Sequence, residues 1–207
     1  MTITHHLDDA TLMSFAAGSL PDTLAAVAAA HIAVCGRCRH EVAVHERVGA
    51  ALLDEMAPET LTRQQQDFEL MQSAPVTDAR AAGAASSLER IIGGPLDSVR
   101  WRWIGPGLWH RPLDRAGGGA LQLVKAAPGA RVPDHTHGGS ELTLVLQGAL
   151  VDETGTYSPG DVADLDEGIR HTPVADRAAG CICLIANEQP TQFRGLLARL
   201  LQRRHRL

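Results

Sequence analysis

His31, Cys35 and Cys38 place three metal-seeking donors within eight residues. Four residues apart on a helix, His31 and Cys35 stack about a turn from each other on one face, and Cys38 returns from the next turn. Nitrogen and thiolate donors so placed fill three corners of a tetrahedron, the arrangement a structural zinc ion takes. The fourth corner calls for an upstream donor. His5 and His6 are adjacent there, and His6 is preferred because it is nearer the first helix. A bare Cys-x-x-Cys also serves thioredoxin-like redox chemistry, but that motif follows a strand and this one follows a helical stretch. A second set lies far down the chain. His135 and His137 point to the same side of a strand or its extension, and Glu141 keeps that parity, so the three can converge on one ion. His171, beyond the turn Tyr157-Ser158-Pro159-Gly160-Asp161, can add a fourth ligand from a neighbouring strand. Three imidazoles and a carboxylate suit zinc, iron, manganese, nickel or copper. Zn2+ is expected in the N-terminal site and a divalent metal, zinc first among them, in the second. Cys181 and Cys183 share one face of an expected strand, as buried small hydrophobes or, if they face the metal, as oxidisable thiols.

The elements that position these donors change character along the chain. Asp8 and Asp9 cap an expected helix through about Ala17, ended by Gly18-Ser19. A second helix starts at Asp22 and turns Leu24, Val27, Ala28, His31 and Cys35 to one broad face, and a third runs from Arg39 to about Met56. These helices are short and alanine-rich, with Phe15 their single aromatic residue, so their core is thin. Metal ligation would offset that, contributing on the order of 10 kcal/mol to folding in small zinc modules. A fourth helix is expected from Pro58 to about Gln72. Residues 73–97, rich in small residues and broken by Pro and Gly, read as an interdomain linker.

Beyond residue 97 the pattern turns to short strands at Ser98–Ile104, Leu121–Ala126, Leu142–Gln147, Ala149–Glu153, Asp161–Asp164 and Cys181–Ala186, separated by Gly, Pro and Asp turns. Such spacing predicts a jelly-roll barrel, followed by an amphipathic helix from Thr191 to about Arg204. The fold class is α+β in two domains: an all-α unit over 1–72, and an all-β unit with a C-terminal helix over 98–207. Trp101, Trp103 and Trp109 are expected in packing, and His110 and His205 at the surface.

Charge is unevenly divided over the 207 residues. Residues 1–72 hold ten acidic side chains against four basic ones, and residues 97–207 hold twelve against thirteen. The N-terminal acidity argues against direct nucleic-acid binding and for a basic partner. No run approaches the roughly 20 apolar residues of a membrane span, and no secretory signal opens the chain, so a cytoplasmic protein without membrane contact is expected.

His31-x3-Cys35-x2-Cys38 with an upstream histidine resembles the zinc-binding anti-sigma domain, a small helical fold that wraps an extracytoplasmic-function sigma factor. Gly129, five residues, His135-x-His137, three residues, Glu141, six residues and Gly148 match the first motif of the cupin superfamily residue for residue, and Pro159-Gly160 resembles the second. His171 departs from that pattern, with ten residues separating it from Gly160. The two modules in this order resemble the ChrR family of cupin-containing anti-sigma factors. That resemblance implies a 1:1 heterodimer with a sigma factor, held by residues 1–72 with the 58–72 helix as a clasp. It further implies release when the cupin domain senses singlet oxygen or an organic peroxide, with no catalytic residues. The alternative is a metal-dependent cupin dioxygenase or other oxidoreductase with a helical appendage, which requires a substrate cavity and a labile coordination position.

Overall fold

The structure, a computed structural model, describes residues 2–58, 84–113, 119–189 and 191–193. Helix α1 (Asp9–Ala16) starts where the Asp8 carboxylate accepts the Thr11 N–H at 2.6 Å and ends ahead of Gly18, whose φ of 68° disfavours any side chain. Helix α2 (Asp22–Val34) is apolar on nearly every side, and Leu24, Ala26, Val27, Ala28, Ala30 and His31 are all buried. Helix α3 (Gly36–Asp54) begins three residues before the expected Arg39. Cys35 leaves the helical conformation there, and its sulfur accepts the Cys38 N–H at 3.5 Å, so the cysteine itself caps the helix. Within the segment expected as linker, Ala84–Ile92 forms α4 and Leu96–Ser98 a 3-10 turn, and Leu88, Ile91, Ile92 and Leu96 pack on the cluster that contains α2. The expected helix over 58–72 lies, apart from Pro58, outside the described residues, as does 73–83.

Eleven strands follow among the described residues: β1 (Arg102–Gly105), β2 (Leu108–Pro112), β3 (Ala120–Ala126), β4 (His135–Thr136), β5 (Glu141–Gly148), β6 (Leu150–Val151), β7 (Thr156–Tyr157), β8 (Val162–Leu165), β9 (Val174–Ala175), β10 (Cys181–Asn187) and β11 (Gln192–Phe193). Six of them form an antiparallel sheet in the order β1-β2-β3-β10-β5-β8; β7-β6-β9 and β11-β4 make two smaller sheets. Gly148, at φ 72°, lies where β5 meets Gly180, and a Cβ there would run into the Gly180 carbonyl.

Both faces of the large sheet are covered. Cys181, Cys183, Val145 and Ala126 turn into the barrel with Ile104, Leu108 and Leu165. Their alternates, Leu184, Ala186, Leu142, Leu144, Leu121 and Leu123, turn outward into one cluster with Leu24, Val27 and Ala28 of α2. The thin helical core is thus completed by the barrel's outer wall.

Several expectations need correction. Gln192 and Phe193 pair with β4 as a strand, so no helix starts at Thr191; residues 194–207, His205 among them, lie outside the described residues. The first strand starts at Arg102, not Ser98. Trp103 is 53% exposed on the outer face of β1, and His110 is buried with its Nδ1 3.1 Å from Gln122 Oε1. None of the described helices is long and apolar enough to cross a membrane.

Leu184, fully buried on the central strand under α2, tests this packing. Leu184→Ala is expected to lower unfolding free energy by about 2–5 kcal/mol in urea titration. A loss under 0.5 kcal/mol would contradict the buried interface.

Candidate metal centres

The helical cluster is assembled by a break between two helices. α2 delivers His31, the extended residue Cys35 ends it, α3 brings Cys38 back within its first turn, and the segment ahead of α1 supplies His6. One donor atom from each of these four lies within 4.8 Å of the others. His31 Nε2 is 3.2 Å from Cys38 Sγ, and His6 Nδ1 is 3.3 Å from Cys35 Sγ. His5 is not part of this group; its ring lies against Tyr157. His31, Cys35 and Cys38 are buried, and burial, reinforced by Cys35, pushes the Cys38 thiol up to about 11. A divalent cation between the sulfurs would reverse that penalty by displacing the protons, so the donor set fits a metal.

The barrel cluster is built on β4, β5 and the bridge residue His171, which pairs with His135. His135, His137, Glu141 and His171 are all buried and also bring donor atoms within 4.8 Å of one another. His171 Nε2 stands 2.9 Å from His135 Nε2 and 3.1 Å from His137 Nε2. Imidazole nitrogens bound to one ion at 2.0–2.1 Å each lie about 3 Å apart, so the spacing suits a shared metal.

The outer nitrogens explain the convergence. His135 Nδ1 donates to the Pro133 carbonyl at 2.8 Å, His137 Nδ1 faces Glu141 Oε2 at 3.1 Å, and His171 Nδ1 donates to Asp152 Oδ2 at 2.8 Å. With the proton fixed outside, His135 and His171 keep the Nε2 lone pair for the centre, while His137 Nδ1 lies between Glu141 and the Asn187 amide nitrogen, 3.3 Å away. Glu141 is held by Asn187 and, at 3.1 Å, by the Thr143 hydroxyl. Burial raises the Glu141 carboxyl, against the opposing pull of His171 and the bonds from Asn187 and Thr143. Burial works against charge on His171 too, yet Asp152 and Glu141 outweigh it and raise this imidazole.

Asp152, Thr143 and Asn187 were not singled out by the sequence. Asp152 falls in the expected strand Ala149–Glu153, but the strand covers only Leu150–Val151, and the Asp152 carboxylate is buried and held at about 2, its desolvation overcome by bonds from His171 and Thr154. Asn187 was detectable in principle, being polar at the inward parity of an apolar strand. Cys181 and Cys183, with Sγ atoms 3.2 Å apart, line a barrel cavity of about 290 Å³ that is mostly apolar and ends at His135, Glu141 and His171. The bond from Cys181, together with burial, raises Cys183 well above its usual range, so it is a neutral thiol.

Residues 92–191 match the family model described as the ChrR Cupin-like domain. Over 209 aligned residues the chain is 39% identical to anti-sigma-E factor ChrR of Cereibacter sphaeroides, covering 98% of each protein. The fold also matches a chain in the crystal structure of Rhodobacter sphaeroides SigE in complex with the anti-sigma ChrR, with a TM-score of 0.76 and 39% identity over 90% of this chain and 99% of that one.

Acid should act through the barrel histidines. Burial, with the neighbouring imidazoles, holds His135 at about 4 and His137 at about 3, against 6.5 for a free side chain. Between pH 6.5 and pH 4 the unfolded chain binds these protons and the folded, metal-free chain does not, so these groups remove stability as pH falls. Thermal melts of metal-stripped protein should show a shallower pH slope in that window for His137→Gln than for the parent. Equal slopes would contradict the assignment.

Proposed function

We propose, for a chain that belongs to the ChrR family of anti-sigma factors, that its N-terminal helices hold an extracytoplasmic-function sigma factor in an inactive 1:1 complex and that its barrel governs release. The observation that carries this reading is an uncovered apolar surface. Eight large hydrophobic residues are exposed among the described residues, and six of them, Met13, Val34, Val48, Leu52, Leu53 and Met56, are on or beside the N-terminal helices. From Arg47 to Asp54 every residue of α3 is exposed, a solvent-facing half-helix rich in apolar side chains. The acidity of residues 1–72 complements the basic surfaces a sigma factor offers to DNA.

The two clusters divide the work between an effector unit over 1–72 and a sensor unit over 98–207, with 73–97 between them. Zinc at His6, His31, Cys35 and Cys38 would hold the helices in the binding arrangement. A metal at His135, His137, Glu141 and His171, zinc first, would form the sensing centre. The apolar cavity leading to it suits a small oxidant such as singlet oxygen or an organic peroxide. The role is regulatory rather than enzymatic and is exercised in the cytoplasm. Oxygen uptake with small diketones or acids, without a sigma partner, would favour the oxygenase alternative.

Leu52→Glu is expected to weaken sigma binding at least tenfold, about 1.4 kcal/mol, in titration calorimetry while leaving metal content unchanged. Metal analysis should give two ions per parent chain. Cys35→Ser should lose one together with sigma binding; His137→Ala should lose the other and keep binding, but fail to release the partner on oxidant. Loss of binding in His137→Ala would overturn the division of roles.

A further inference from the structure

Both imidazoles of the helical cluster are positioned by the barrel, through the turn Ser158–Asp161. The Asp161 carboxylate, almost wholly buried, accepts N–H bonds from Thr4 at 2.6 Å, His5 at 3.0 Å and Ser158 at 2.8 Å. The Val162 N–H reaches the His5 carbonyl at 3.5 Å, and the Asp8 N–H reaches Asp164 at 3.0 Å, so residues 4–8 are strapped along the edge of β8. Two glycines leave room for the strap. A Cβ on Gly155 would lie 3.1 Å from the His5 ring, and one on Gly160 would lie 3.0 Å from Ile3. His6, next in the chain, is thereby aimed at the two sulfurs. From the other side the Gly160 carbonyl accepts the His31 Nδ1–H at 2.9 Å, which leaves His31 Nε2 facing Cys38.

The same stretch of barrel is tied to the second cluster. His171 donates to one Asp152 oxygen; the Thr154 hydroxyl donates to the other. Having spent its proton there, Thr154 accepts from the Tyr157 hydroxyl at 2.8 Å. The Tyr157 ring lies 4.4 Å from the His5 ring, and His5 is the strap residue bonded to Asp161. Buried members of such a chain cannot lose one partner in place, because an unsatisfied buried carboxylate is costly, so a displaced His171 forces Asp152 and its donors to rearrange.

Resting on the reading of the two clusters as metal sites, we propose that Asp152, Tyr157 and Asp161 are positioning residues of one shared outer shell, through which displacement of His171 alters the ligand geometry at His6 and His31. The barrel thus touches the effector cluster directly.

Only the helical cluster carries thiolate ligands, so loading the full-length protein with cobalt(II) alone gives a thiolate charge-transfer band that reports that cluster. Hydrogen exchange over residues 3–8 reports the strap independently of metal. His171→Ala is expected to shift the band and to speed exchange of the strap at least fivefold. Tyr157→Phe, which keeps the ring and removes one hydroxyl, should cut both effects of His171→Ala to under a third. If His171→Ala does not fold, Asp152→Asn takes its place in the same cycle. Asp161→Asn should by itself shift the band and speed strap exchange with the barrel ligands intact. Effects of His171→Ala that are absent, or equal with and without the Tyr157 hydroxyl, would overturn the proposal. A parent protein without any thiolate band would instead overturn the metal reading, and the exchange cycle alone would then decide the link.

Discussion

A neutral imidazole can offer a lone pair to a cation from one nitrogen only while the other nitrogen keeps the proton, and that proton must be bonded if the ring is buried. His31, His135 and His171 meet this condition, through the Gly160 carbonyl, the Pro133 carbonyl and Asp152 respectively. Much of the architecture can be read as what it takes to bring those three acceptors into place. The Asp152 turn, the Pro133 segment and the Pro159-Gly160 turn come from separate parts of the barrel, and the last of them reaches into a different structural unit.

The second constraint is the shape of α2. Its alanines let the helix lie close on the outer wall of the sheet, so one apolar cluster serves helices and barrel together. A helical unit too small to build its own core gains buried area from the barrel, and the barrel gains cover for strands that would otherwise show leucine to water. Two modules with separate chemistries are consequently one packing unit along this face.

The donor residues were legible in the sequence because ligation demands fixed residue types at spacings set by helical and strand periods, as at His31-x3-Cys35 and His135-x-His137. The doubly apolar run Leu142-Thr143-Leu144-Val145-Leu146 likewise carried the sign of a strand covered on both faces, though not of what covers its outer face. Less was visible where a residue's role depends on distant neighbours. Asp152 reads only as a polar residue near the end of the expected strand Ala149–Glu153, and its approach to His171, 19 residues away, is what makes it part of the site. The two-residue strands β4, β6, β7, β9 and β11 are too short to show alternation. β2 carries His110 and Pro112 where alternation calls for apolar residues, so its Leu108–Pro112 span does not read as a strand.

The exposed half of α3, from Arg47 to Asp54, has a consequence for any partner that grips it. A helix without tertiary support is marginal in water, and its frayed and ordered forms differ by little free energy. The partner must supply the difference, so affinity depends on intrinsic helix propensity as well as on contact. Gly49 sits in the middle of this half-helix with no atom within 4 Å of where its Cβ would be, at a conformational-entropy cost of about 1 kcal/mol relative to alanine. Grip can therefore be loosened or tightened by inheritance at a residue that touches nothing.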